Sequence, residues 1–176
     1  MFRSLFIIFL ILTGSCSEII KKTEPSIYNG PLLELNNVET LYSDSSVVRL
    51  KLNAKKQLEF DNNDREFPEG IHFEIYDTDG SLSSIISSDY CYYYHETDLW
   101  RALRNVVVRN VKSGDQLNTE ELFWEQKKEL VYTSKFVRIE TEDEILMGEG
   151  LRAKQDFSWW TILNGKGTIV LDEENQ

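Results

Sequence analysis

From Leu50 onward, apolar residues mostly alternate with polar ones along the chain. Leu50-Lys51-Leu52-Asn53-Ala54, Ile71-His72-Phe73-Glu74-Ile75 and Val137-Arg138-Ile139-Glu140 each place apolar side chains on one face and polar ones on the other. That period of two predicts half-buried strands. Turn signals separate such runs at Asp77-Thr78-Asp79-Gly80, Lys112-Ser113-Gly114-Asp115, Glu140 to Glu144, and Asn164-Gly165-Lys166-Gly167. All three prolines (25, 31 and 68) fall in the first 68 positions, so the remainder can form a ladder with every donor present. Two stretches read differently. In Leu99 to Val106 and in Leu122 to Leu130 the apolar spacing also fits one face of a helix, and local propensity does not decide between the two states.

A repeat of period 31 helps decide them, chance register of degenerate β patterns being the alternative. A shift of 31 superposes Ser88, Thr119 and Gly150; Cys91, Leu122 and Ala153; Trp100, Val131 and Ile162; Val106, Val137 and Thr168; Val108, Ile139 and Val170, with Ile75 one period above Val106. Val106-Val107-Val108 and Thr168-Ile169-Val170 are β-branched runs, so their superposed partners are read as strands too. Each unit is then about two strands and a turn. One unit cannot bury its apolar face alone, but stacked copies can, leaving one open sheet edge at each end. The expected fold is all-β: an elongated, twisted β-jellyroll or taco-like sandwich of antiparallel strands. Its inward positions are Ile71, Phe73, Ile75, Tyr93, Val106, Val108, Leu122, Trp124, Val131, Val137, Ile139, Ile162 and Val170. In sequence, a packed core and a groove that holds lipid chains look the same.

The N-terminus has a different pattern. Arg3 precedes an unbroken apolar run, Leu5 to Leu12, then Thr13, Gly14, Ser15 and Cys16. That is the order of a bacterial secretory signal peptide over residues 1–15. Eight apolar residues in a helix span about 12 Å, well short of a roughly 30 Å hydrocarbon core. A Cys directly after small residues resembles a lipobox, with Thr13 where an apolar residue is usual; ordinary cleavage and an uncleaved anchor are the alternatives to a lipidated Cys16. Acyl chains on Cys16 would hold the domain at a membrane. Residues 16–31, with Lys21, Lys22, Pro25 and Gly30-Pro31, read as the lipidated N-terminus and tether, and 32–176 as the folded domain.

Charge and composition narrow the function. Lys and Arg number 19 against 30 Asp and Glu, a net −11 that becomes −12 once Arg3 is cleaved away. That balance argues against non-specific nucleic-acid binding, which depends on cations that displace counterions from phosphate, and no nucleic-acid partner is expected. Two Cys and two His without ligand spacing suggest neither a metal site nor a cofactor. Once Cys16 is acylated only Cys91 is left as a thiol, within Tyr90-Cys91-Tyr92-Tyr93-Tyr94, where a small buried strand residue is the expected role. The carboxylates fall mostly in turns (Asp77, Asp79, Glu140, Glu142, Asp143, Glu144), so no convergent acid/base set is expected and neither is an enzyme.

Several runs resemble a known family. They are Asn37-Val38-Glu39, Tyr42 to Ser45, Phe67-Pro68-Glu69-Gly70-Ile71, Phe73 to Asp77, Asn105 to Val108, Leu117-Asn118-Thr119-Glu120-Glu121-Leu122-Phe123-Trp124, Lys135-Phe136-Val137-Arg138-Ile139, Gly148 to Leu151 and Gln155-Asp156-Phe157-Ser158. Over about residues 35 to 170 the chain is similar to LptC, the periplasmic lipopolysaccharide-export component, in its Bacteroidetes-type lipoprotein form. The resemblance implies an OstA/LptA-like β-jellyroll tethered to the periplasmic side of the inner membrane. It implies an apolar trough that accepts lipopolysaccharide from ABC transporter subunits and passes it to LptA by edge-strand pairing, without catalytic residues, the C-terminal edge near Gly167 to Leu171 meeting LptA. The alternative is a structural or adhesive surface lipoprotein whose sheets are close-packed.

Overall fold

The computed structural model of the chain describes residues 28–170, so the signal segment, Cys16, the first part of the tether and residues 171–176 lie outside the described residues. Eleven antiparallel strands follow one another: β1 (Leu33–Asp44), β2 (Val47–Glu59), β3 (Arg65–Phe67), β4 (Ile71–Tyr76), β5 (Leu82–Ser88), β6 (Tyr90–Tyr94), β7 (Leu99–Asn110), β8 (Gln116–Glu125), β9 (Leu130–Glu140), β10 (Glu144–Lys154) and β11 (Trp160–Val170). All belong to a single sheet. Both stretches with helical spacing are strands, and only Gln126–Lys128 forms a 3₁₀ turn between β8 and β9.

The pairing is a meander of bent strands. The two short pieces β3 and β4 act as one long strand interrupted at Pro68-Glu69-Gly70, since β3 pairs with the end of β2 and β4 with its beginning. In the same way β5 and β6, separated by Asp89, pair with opposite halves of β7. From β1 to β11 every strand thus lies beside its sequence neighbours. The interruptions line up across the sheet. Asn37 in β1 (φ 54°), Gly70 (φ 83°), Arg104 and Asn105 in β7 (φ 63° and 48°) and Gly150 in β10 (φ 78°) sit in the left-handed region. Register shifts fall beside them, between Leu103 and Val106, Thr119 and Phe123, and Glu149 and Leu151. Bulges of this kind bend a strand and change its facing. Together they form one crease along which the sheet folds over into two layers.

The layers face each other. Phe73 of β4, in the first layer, meets Trp100 of β7 and Trp124 of β8, in the second, edge to face, with ring centroids 4.8 and 5.2 Å apart. The hairpins β1–β2, β4–β5, β7–β8 and β9–β10 form the lip of the first layer, opposite the crease. The remaining connections, 60–64, 95–98, 126–129 and 155–159, form the lip of the second. Three of the four turns expected from sequence are present, with Gly80 N–H bonding Asp77 O at 3.0 Å, Gly114 N–H bonding Asn110 O at 3.0 Å and Thr141 N–H bonding Glu144 O at 2.9 Å. The fourth is a correction: Asn164 to Gly167 lies inside β11, where a register shift between Met147 and Gly148 of β10 absorbs the extra residue Lys166. The glycine pair there makes room for a bulge instead of a reversal.

The 31-residue repeat corresponds to a pair of these bent strands. Cys91, Leu122 and Ala153, on alternate long strands just past the crease, are all buried, as are Val106 and Val137 on its other side.

Candidate functional site

The site expected from sequence is the space between the layers. Ile71, Phe73, Ile75, Val106, Val108, Leu122, Trp124, Val131, Val137 and Ile139 are all buried in one apolar cluster. Tyr93 and Ile162 are half-buried and pack against it. Val170 ends β11 opposite Glu144, and its side chain is outside the described set. The same cluster contains Leu50, Leu52, Phe67, Ile86, Trp100, Leu117, Leu151 and Phe157, which the choice of inward residues omitted. Leu50 and Leu52 stood in an alternating run and Trp100 in the repeat, so each carried a signal; Phe157 carried none.

Strand alternation produces this interior. Val131, Val137 and Ile139 project inward from β9, while between them Arg138 points out and bonds Glu140 at 2.6 Å. Burying each such aliphatic side chain contributes about 1.5–3 kcal/mol. The packing is close. What remains between Ile71, Phe73, Ile86, Cys91, Trp100, Ala102, Leu122 and Trp124 is a cavity of about 10 Å³, at most the space of one water. Larger recesses of about 470 and 570 Å³ lie along the crease, and their walls include Glu39, Lys55 and Glu69 in one and Glu120, Lys135 and Arg138 in the other.

Polar groups collect at the mouth between the lips. Arg65 sits 5.3 Å over the ring of Tyr93, and its Nη1 donates to Tyr42 Oη at 3.4 Å, while its buried Nε, 3.8 Å from a Glu59 carboxylate oxygen, has no hydrogen-bond partner among the described residues. Tyr93 donates to Asp98 at 2.9 Å; burial, reinforced by that carboxylate, pushes its phenol up to about 12. Cys91 is fully buried and its thiol is pushed far up by desolvation, so it is an inert core residue. The turn lysines already hold carboxylates of this chain: Lys112 with Asp77 at 2.6 Å, Lys127 with Asp98 at 3.0 Å, and Lys128 with Glu125.

One connection reaches from the second lip to the first. After β10 the segment 155–158 is held by Ser84 and Asn110 of the first layer and by Trp124 of the second, and it carries Phe157 into the core. Both ends of the sandwich, in contrast, are open edges. Among the described residues β1 pairs only with β2 and β11 only with β10. Leu33, Leu35 and Leu41 of β1 and Leu163 and Ile169 of β11 are exposed. No group of three His, Cys, Asp or Glu side chains among the described residues could hold a metal ion. No protein-family model matches the chain, and no curated protein matches it.

Proposed function

We propose that the protein is a membrane-tethered periplasmic carrier, which accepts lipopolysaccharide from an inner-membrane ABC transporter into the space between its layers and passes it to an LptA-type partner. The observation that carries this reading is one apolar cluster between the layers, against which Val38 and Tyr42 of β1 and Trp160 and Ile162 of β11, the two edge strands, also pack. An acyl chain between the layers would exchange water for aliphatic and aromatic side chains at roughly 25 cal/mol per Å², with no directional bonds to break as it moves on. Free edges such as β1 and β11 can each add a strand from a neighbouring protein, which would extend the interior from one carrier into the next. The net charge of −12 of the cleaved chain would keep an anionic sugar-phosphate headgroup in water. In this reading Cys16 is the lipid anchor at the periplasmic face of the inner membrane.

In-cell photo-crosslinking tests it. A light-activated residue at Val137 or Tyr93 is expected to give a lipopolysaccharide adduct, and one at the outward Arg138 is not. A second reading, a structural or adhesive surface lipoprotein, is favoured by one observation, the nearly filled interior. Normal expression with no adduct at any of the three positions would decide for it.

A further inference from the structure

We propose that residues 155–158 are a gate across the mouth of the sandwich, standing in its closed state where an acyl chain binds, so that lipid enters between the lips. This rests on the carrier reading above. The segment bridges the layers at three points. Ser84 Oγ donates to Gln155 O at 2.8 Å, Asn110 Nδ2 donates to Asp156 O at 2.9 Å, and Trp124 Nε1 donates to the side-chain Oε1 of Gln155 at 2.9 Å. Ser84 and Asn110 are cross-strand partners on β5 and β7, and both are buried. At the lip, water can replace the segment as their partner once it leaves.

Phe157 is the second observation. It is 2% exposed and has φ 58°, a conformation that bulky residues rarely adopt. Strain of this kind persists only where the surroundings impose it, and it collects at switch segments. The chemistry of the contacts then identifies the ligand class. Gln155 offers a carbonyl oxygen to an indole N–H, and beside it Phe157 offers an apolar group to the core. A carbonyl next to hydrocarbon is what an ester- or amide-linked acyl chain presents. Trp100 adds a second indole N–H in the cavity wall, and this one has no partner among the described residues. An incoming acyl carbonyl can satisfy it, which the closed gate does not.

The test uses the full chain and fluorescently labelled lipopolysaccharide, with Ser84→Ala and Asn110→Ala measured separately. Each removes one anchor of the closed state, so the open population, and with it the uptake rate, is expected to rise about fivefold. Hydrogen exchange at the Gln155 and Phe157 amides, bonded to Glu129 O and Lys154 O when closed, should quicken while the β9 core amides stay protected. Faster exchange at those two amides with uptake at the unmodified rate overturns the gate and leaves the carrier reading standing. No uptake by the unmodified chain or either variant removes the carrier reading and the gate with it. Should one variant lose core protection, the other decides, since each removes a different hydrogen bond to the same segment.

Discussion

Val137 and Arg138 are neighbours in β9 with opposite surroundings. Val137 is fully buried, whereas Arg138 lies on the outer surface in a half-exposed pair with Glu140. A carboxylate at 137 would be desolvated without a partner, so Val137→Asp is expected to cost several kcal/mol in urea unfolding. Arg138→Asp loses an ion pair of the kind that contributes at most about 1 kcal/mol. Equal losses at the two positions would show that the assignment of faces in β9 is wrong. The tyrosines of β6 make a second expectation, in pH. Burial pushes Tyr90, Tyr92 and Tyr93 up to about 12, aided by the nearby carboxylates of Glu66, Asp64 and Asp98 respectively. A folded-state phenol pKa above its unfolded value of 10 means that the native state favours the neutral form. The stability this provides is complete below pH 10 and is lost as pH rises through 12. Phenolate absorbance and loss of β-sheet circular dichroism are therefore expected to rise together between pH 10 and 12. Full phenol titration near pH 10 with the fold intact would contradict it.

The crease makes strands into elements of a sandwich, and glycine marks its tightest point. A Cβ on Gly70 would stand 2.2 Å from Ser88 O with φ at +83°, while one on Gly80, at a similar φ of +81°, would meet nothing within 4 Å. Gly80→Ala thus carries only the left-handed strain, about 1 kcal/mol. Gly70→Ala must also push β4 from β5, and thermal unfolding is expected to register a clearly larger loss, above about 2 kcal/mol. Similar losses would mean that the crease yields easily. The strands were legible where one face alone is apolar, as in Leu50 to Ala54. They were ambiguous in Leu99 to Val106, and the reason is physical: Leu99 pairs with Tyr94 and Leu103 with Tyr90 on the outer face, while Trp100 and Val106 point inward. Apolar residues on both faces, with Arg104 and Asn105 bulged between them, imitate helical spacing. Phe123, stacked on Tyr132 outside at 5.4 Å, does the same in β8. The repeat overcame this ambiguity because it compares like positions and ignores the period within them. The bulges themselves carried no sequence signal except Gly70 and Gly150, and the Asn164 to Gly167 run misled because glycine serves a bulge as well as a turn.

At the scale of the molecule, the candidate site was legible as an inward face. Its closure was not, since Gln155-Asp156-Phe157-Ser158 has the polarity of a surface turn and the burial of Phe157 depends on Ser84 and Asn110, some 50 to 70 residues earlier. The two ends pose a further problem of balance. An exposed edge strand with apolar side chains is a template for pairing, and β1 and β11 present different edges, so copies would join head to tail into species longer than a dimer. Opposing this is charge: each copy of the domain carries a net −12, and that repulsion extends about 30 Å at 0.01 M ionic strength but only about 3 Å at 1 M. Short-range pairing survives such screening, whereas repulsion does not. Sedimentation of the isolated domain is therefore expected to show monomers at low salt and longer species as salt rises. Replacing Leu163 and Ile169 by Lys should restore the monomer at the same ionic strength, because both lie exposed on β11. A domain that stays monomeric at 1 M salt would mean that the edges are blunted by their own twist, and that any strand added to β11 must come from a partner shaped for it.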